Sequence, residues 1–178
     1  MQYLAPDALA RARRVRLVVF DVDGVLTDGR LWYGAGGEEL KAFHAFDGHG
    51  VKLLLMGGLK TAILSGRDSQ AVNERAKELG IEHVIQGADD KRKAFAALLR
   101  KLRMKSVVAA YMGDDLVDLP VLTRCGFACA PREAPQDVRH RVHFIPTAPA
   151  GHGAAREVCE FILEAQGKLG RVMARFHK

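Results

Sequence analysis

Apolar residues fall along this chain in short unbroken runs, each closed by a polar or glycine-bearing turn. Leu17–Phe20 within Val15–Phe20, Val107–Met112 and Phe127–Ala130 are such runs, and Lys60–Leu64, His83–Gln86 and Val142–Ile145 hold shorter ones. A run of four to six apolar residues without polar alternation suits a strand buried on both faces. Between the runs lie segments with helical spacing. Ala71, Val72, Ala76 and Leu79 predict a helix from about Ser69 to Gly80, and Ala94, Phe95, Leu98, Leu99 and Leu102 predict one opening at Lys91. Further helices are predicted over 1–14, with Leu4, Ala8, Leu9 and Ala12 on one side, and over Val51–Met56, Leu116–Leu122 and Ala154–Ala165. His44–Gly50 reads as a loop, and the chain from Gly167 onward as a basic tail. Strands alternating with helices predict an α/β fold: a doubly wound, Rossmann-like parallel sheet with helices on both faces.

One stretch breaks the alternation. Arg30–Phe43 places Leu31, Trp32 and Tyr33 before a glycine-rich bend and Leu40 and Phe43 after it. This predicts a β-hairpin inserted after the first strand. An isolated hairpin is marginal in water, so its aromatic residues call for a packing partner, and a second subunit is the natural one. No remaining stretch is long enough for a separate cap domain, so residues 1–178 read as one domain.

Composition narrows the picture without naming a function. Apolar residues make up 48% and charged residues 27%, as in an ordinary globular protein. The net charge of +6 suits an anionic ligand, but no Lys/Arg run interleaved with aromatics supports nucleic-acid binding. Cys125, Cys129 and Cys159 form no CxxC pair. They read as core residues in a reducing compartment, with cytoplasmic placement expected. The apolar stretch Leu4–Leu9 is interrupted by Pro6 and Asp7, so it is no signal peptide. No apolar run approaches membrane-spanning length, and no membrane association is expected.

The chemistry gathers where the strands end. The first run passes into Asp21-Val22-Asp23-Gly24-Val25-Leu26-Thr27. Open parallel sheets place ligands at their carboxyl ends. Two carboxylates there repel unless a cation or a shared proton relieves them. Ser65 closes the second run, Lys91 opens a later helix, and Asp114-Asp115 follow a fourth strand. This series resembles the four motifs of the haloacid dehalogenase superfamily of phosphotransferases. The resemblance implies an aspartyl-phosphate mechanism: Asp21 as nucleophile, Asp23 as acid and base, Ser65 and Lys91 on the phosphoryl group. Mg²⁺ is then expected on Asp21, the backbone carbonyl of Asp23, and Asp114. Asp115 or Asp118 would orient Lys91 or a metal-bound water.

A closer resemblance covers almost the whole chain. It rests on Asp21–Gly29, Gly37–His44, Asp47-Gly48-His49-Gly50, Leu64–Arg67, Gly113–Pro120 and Gly151–Lys168. These segments are similar to the capless sugar-acid phosphatases of that superfamily, the 3-deoxy-D-manno-octulosonate 8-phosphate phosphatase family. The resemblance implies a Mg²⁺-dependent phosphatase in lipopolysaccharide precursor synthesis and a homotetramer assembled through the hairpin. It places substrate contacts at Asp23, His44, Ala45, Phe46, Asp47, Gly48, Lys52, Gly66, Arg67, Arg75 and Lys91, some of them supplied across a subunit boundary. Family members often carry Val-Arg where this chain has Ala45-Phe46, and Arg where Lys52 stands. Arg and Lys bind carboxylates differently, so a nine-carbon 2-keto sugar-acid phosphate stays open as substrate. Two other classes of function are weighed: a phospho-accepting receiver domain, whose acid pair lies on a separate strand from its phosphorylated Asp, and a catalytically silent assembly domain.

Overall fold

The computed structural model describes residues 3–176. Taken in order, its elements are β1 (Tyr3–Leu4), α1 (Ala8–Ala12), β2 (Leu17–Phe20), β3 (Trp32–Tyr33), β4 (Glu39–Leu40), α2 (Ala45–Met56), β5 (Lys60–Leu64), α3 (Gln70–Leu79), β6 (His83–Ile85), α4 (Lys91–Lys101), β7 (Ala109–Met112), α5 (Leu119–Leu122), β8 (Phe127–Cys129), α6 (Gln136–Arg139), β9 (Phe144–Ile145), α7 (Ala154–Ala165) and α8 (Leu169–Met173). Seven strands form one sheet in the order β1-β9-β8-β7-β2-β5-β6, parallel except for the β1–β9 pair. No helix of the described residues is long and apolar enough to cross a membrane.

Alternate residues of β2 explain the two-sided core. Val18 and Phe20 join one apolar cluster with residues of α1, α2, α3 and α7. Leu17 and Val19 join the other with Phe95 and Leu98 of α4, Val121 of α5 and Val138 of α6. Every side chain of β2 is therefore buried, which is why its sequence is apolar without alternation. The cysteines are free and buried, as core residues should be.

Strand β2 is also the switch point. The chain runs outward through β5 and β6 on one side, then crosses back to β7, β8 and β9 on the other. Phe20 pairs with both Ile63 and Met112, so the chain leaves β2, β5 and β7 at nearly one level. A crevice at the carboxyl edge follows from this topology. No second domain covers it among the described residues.

The structure corrects several expectations. Of the helix predicted over 1–14, residues 1 and 2 lie outside the described part; the rest is a two-residue strand followed by one short helix, and Leu4 and Leu9 are exposed rather than packed. Pro6 lies between the two elements, and Ala5, Ala8 and Ala12 face the core. Helix α2 begins at Ala45, well before Val51, because His44 Nδ1 accepts the Phe46 N–H at 3.2 Å and caps it. Residues 106–108 form a single 3-10 turn ahead of β7. The segment over 116–122 likewise opens with a 3-10 turn. The stretch before β9 contains α6. The basic tail holds α8, whose Val172 is buried; its last two residues, 177 and 178, lie outside the described part. The hairpin β3–β4 forms as expected, with Trp32 opposite Leu40 and Gly37 at φ +85° in its bend.

Asp47 shows how the ends of two helices are joined. It is 1% exposed. Its carboxylate accepts the Gly153 N–H at 3.0 Å and the Arg156 N–H at 2.9 Å. Gly153 precedes α7 and has no side chain to cap it, so Asp47 caps that helix from α2. Burial raises the Asp47 pKa, opposed by the amide hydrogen bonds. Replacing Asp47 by Ala leaves two amide donors unpaired. Urea unfolding of Asp47→Ala should show a loss of about 1–3 kcal/mol. A variant of unchanged stability and raised KM would instead make Asp47 a substrate contact.

Candidate active site

Asp21 and Asp23 leave β2 at its carboxyl end. Asp21 N–H still bonds Met112 O at 2.9 Å, which continues the pairing with β7. Gly24 then turns the chain at φ +79°. A Cβ on Gly24 would lie 2.1 Å from Asp114 Oδ2, so only glycine leaves room for that carboxylate.

From the other loops come a cation and a hydroxyl. Asp90 caps α4 through the Lys93 N–H, and so the next residue, Lys91, sits at the helix start with its side chain turned inward. Lys91 Nζ donates to Asp21 Oδ2 at 2.6 Å and to Asp118 Oδ1 at 2.7 Å, and it is almost fully buried. Ser65 follows β5 and is 3% exposed; its Oγ accepts the Arg67 N–H at 3.2 Å. Its hydroxyl proton remains available to an anion.

Asp118 is saturated. Oδ1 accepts from Lys91 and from Tyr111 OH at 2.6 Å, while Oδ2 accepts the amides of Asp114 and Asp115 at 3.0 and 3.2 Å. Carboxylate oxygens of Asp21, Asp114 and Asp118 lie within 4.8 Å of one another. With Asp118 occupied by four donors, Asp21 and Asp114 are the carboxylates left to meet a cation. Their titration reflects that shortage. Burial, then the charge of Asp118, pushes Asp21 up to about 6, against the pull of Lys91. Burial, then the charges of Asp21 and Asp118, pushes Asp114 up to about 7. Burial works to lower Lys91, but Asp21 and Asp118 outweigh it and raise its pKa. Lys91 therefore stays charged at neutral pH.

A cavity of about 280 Å³ opens here, lined by Asp21, Asp23, Ser65, Gly66, Arg67, Lys91 and Asp114 among others. A larger cleft of about 460 Å³ adjoins it, sharing Gly29, Asp114 and Asp115 and reaching Glu133 and His152. The smaller cavity gathers the carboxylates of Asp21, Asp23 and Asp114 with Ser65, Arg67 and Lys91.

The other candidate contacts lie elsewhere in this chain. His44 caps α2, with its ring 5.6 Å from that of His152 at the larger cleft. Ala45, Phe46 and Lys52 are exposed on α2. Arg75 pairs with Glu78, reaches His44 O at 3.4 Å and lies over the Phe43 ring. Gly48 packs beneath Arg75, since a Cβ there would meet its Nη2 at 2.1 Å. None of these residues, nor Asp47, lines the 280 Å³ cavity. Sequence reading also missed the hairpin residues that do reach the site. Lys41 pairs with Asp23 and Glu39, and Arg67 bonds Glu39 and Tyr33. The Gly37–His44 and Leu64–Arg67 segments hold Glu39, Lys41 and Arg67, but their pairing depends on how the hairpin folds back, which no local pattern shows.

No protein-family model matches the chain. It is 42% identical over 166 residues to the 3-deoxy-D-manno-octulosonate 8-phosphate phosphatase of Escherichia coli K12, a match covering 93% of this chain and 88% of that protein. Among solved structures, the 3-deoxy-D-manno-octulosonate 8-phosphate phosphatase of Moraxella catarrhalis, in complex with magnesium, phosphate and the sugar acid, superposes with a TM-score of 0.93. That pair is 42% identical, with 96% of this chain and 98% of the other covered. A probable YrbI-family phosphatase from Pseudomonas syringae superposes at 0.95, with 46% identity and 98% and 99% coverage.

Both raised carboxylates have a pH consequence. The folded pKa values of Asp21 and Asp114, about 6 and about 7, stand above the ordinary 3.8. The cation-free fold thus binds protons more tightly than the unfolded chain. This share of its stability is complete below the unfolded value and disappears as pH rises through 6 and 7. Protons also compete with any cation for these oxygens. Titration calorimetry with a divalent cation should show affinity falling from about pH 8 to about pH 5, with protons released on binding. A flat affinity over that range would remove Asp21 and Asp114 as ligands.

Proposed function

This chain belongs to the 3-deoxy-D-manno-octulosonate 8-phosphate phosphatase family of the haloacid dehalogenase superfamily, and we propose that it hydrolyses that sugar-acid phosphate to the free sugar acid and phosphate, in lipopolysaccharide precursor synthesis. The observation that carries the reading is the meeting of Asp21 and Asp114, from two separate strand ends, beside the buried Lys91. The chain acts as one domain.

The donor set suits Mg²⁺: hard carboxylate oxygens, incompletely neutralised, at a position that Gly24 keeps open. Asp21, Asp114 and the carbonyl of Asp23 would hold it. Once bound, the ion offsets the repulsion between the nucleophilic carboxylate and a dianionic phosphate. Asp21 attacks phosphorus through a carboxylate oxygen, and the bond to the sugar oxygen breaks. Asp23 gives a proton to the departing alkoxide. It then takes one from the water that attacks the aspartyl-phosphate, which frees the Asp21 carboxylate and returns Asp23 to its acid form. Lys91 and Ser65 bind the phosphoryl oxygens, where transition-state charge spreads. Arg67 and Gly66, at the cavity wall, are placed to meet the sugar acid. His44, Ala45, Phe46, Lys52 and Arg75 would reach substrate only around the adjoining cleft or across a subunit boundary.

The hairpin supports assembly into a homotetramer. Trp32, Tyr33 and Leu40 are each more than half exposed, and Leu31 lies beside them. A cluster of large apolar side chains of this kind marks an interaction surface. The three buried, unpaired cysteines accord with a cytoplasmic location.

Phosphate release from 3-deoxy-D-manno-octulosonate 8-phosphate should require Mg²⁺ and stop with EDTA. Asp21→Ala should abolish it, and retained turnover would refute the nucleophile. Preference for a nine-carbon 2-keto acid phosphate in a substrate panel would shift the substrate but keep the chemistry. Sedimentation should give a tetramer, and paired Trp32→Ser and Leu40→Ser changes should shift it to smaller species; an unchanged mass would rule the hairpin out as the contact.

A further inference from the structure

Beyond its exposed aromatics, the hairpin sends one side chain into the catalytic loop. Lys41 stands one residue past β4, with its side chain only 2% exposed. A lysine beside a hairpin normally leaves its ammonium in water. Here Nζ donates to Asp23 Oδ1 at 2.5 Å and pairs with Glu39. Glu39 Oε2 takes Arg67 Nη2 at 2.6 Å, and Tyr33 OH takes the same nitrogen at 2.9 Å. The circuit closes where Arg67 Nε lies 3.7 Å from Asp23 Oδ2. Two acids and two bases thus form a neutral ring, with three members from the hairpin or the β5 loop and one from the catalytic loop.

We propose that Lys41 is a positioning residue for Asp23, fixing its carboxylate through Oδ1 so that Oδ2 is the oxygen that exchanges protons with the leaving group and the attacking water. The inference rests on the phosphatase reading. It assigns the hairpin a role in chemistry within its own chain, separate from any assembly. Glu39 serves by holding Lys41 from the other side. Lys41 itself touches neither substrate nor the reacting phosphorus.

The leaving group separates this role from a structural one. A sugar alkoxide needs a proton as it departs, whereas nitrophenolate does not. Lys41→Met should lower kcat on 3-deoxy-D-manno-octulosonate 8-phosphate roughly 10- to 100-fold with little change in KM, the size expected for impaired acid–base help. With p-nitrophenyl phosphate, transfer to Asp21 should stay fast while hydrolysis of the phosphoenzyme slows. Rapid-quench measurement should then show a stoichiometric burst of nitrophenolate that the unaltered protein lacks. Lys41→Arg, which keeps a cation in reach, should restore part of kcat. Turnover close to that of the unaltered protein, or equal loss on both substrates without a burst, would overturn the assignment. If Lys41→Met fails to fold, Glu39→Gln is put through the same burst assay, with a weaker effect in the same direction expected and no effect counting against the proposal. An unaltered protein that cleaves p-nitrophenyl phosphate but no sugar-acid phosphate would defeat the substrate reading alone, since the burst comparison uses no sugar.

Discussion

One buried ammonium sets the terms for the whole carboxyl edge. Lys91 sits between Asp21 and Asp118, with all three side chains nearly out of water. A charge left alone in such a place costs several kcal/mol, and removing one partner of a buried pair typically costs about 3–5 kcal/mol. Lys91 cannot neutralise three carboxylates. Asp118 is satisfied because Tyr111 and two backbone amides share it with Lys91. Asp21 and Asp114 bear the deficit, and their raised pKa values record it. The site is poised for a cation and an anionic phosphate to arrive together, since each relieves what the other would aggravate.

The fold produces this imbalance by register rather than by any single contact. Strand β2 is central and pairs on both sides, so its last residue, Phe20, is level with Met112 at the end of β7 and with Ile63, one residue before the end of β5. Acids placed just past β2 and β7 must then meet. Asp118 completes the arrangement by accepting the amides at 114 and 115, which fixes the turn that carries Asp114. Lys91 arrives from a helix start, where Asp90 sets the position of the first turn. Backbone geometry, chosen by core packing on both faces of the sheet, thus decides which charges share a cavity.

Much of this was legible in the residue pattern because the relevant signals are local. Unbroken apolar runs marked β2, β5 and β7, and the polar residue ending each run marked its strand end. Gly80 at φ +78° closed α3 where expected. Failures came where a local signal was weak or the deciding contact was remote. The two residues of β1 are too short to show a period, and their pairing with β9 lies more than a hundred residues away. Gly48 and Gly50 disguised the first turns of α2, yet they are needed there: a Cβ at Gly50 would press on Arg156 at 2.9 Å. For Asp47, a substrate contact by resemblance, no local pattern announced the partners it has in this fold, which are amides at the start of a helix over a hundred positions on. Lys41 lies inside the Gly37–His44 segment, but nothing local says that it meets Asp23, which is brought near only by the return of the hairpin.

That return ties two properties of the molecule to one element. A two-stranded hairpin holds poorly on its own. This one is anchored on its inner side by the ion pairs of Lys41 and Arg67 with Asp23 and Glu39, and it presents Trp32, Tyr33 and Leu40 outward. Arg67 is still 42% exposed, and ion pairs in contact with water are weak. Covering the outer aromatics with a second subunit would exclude water from the same strands and lower the local dielectric, and the ring of charges would strengthen. A partner packed on that aromatic face would then also steady the acid beneath it, through one short ribbon of chain.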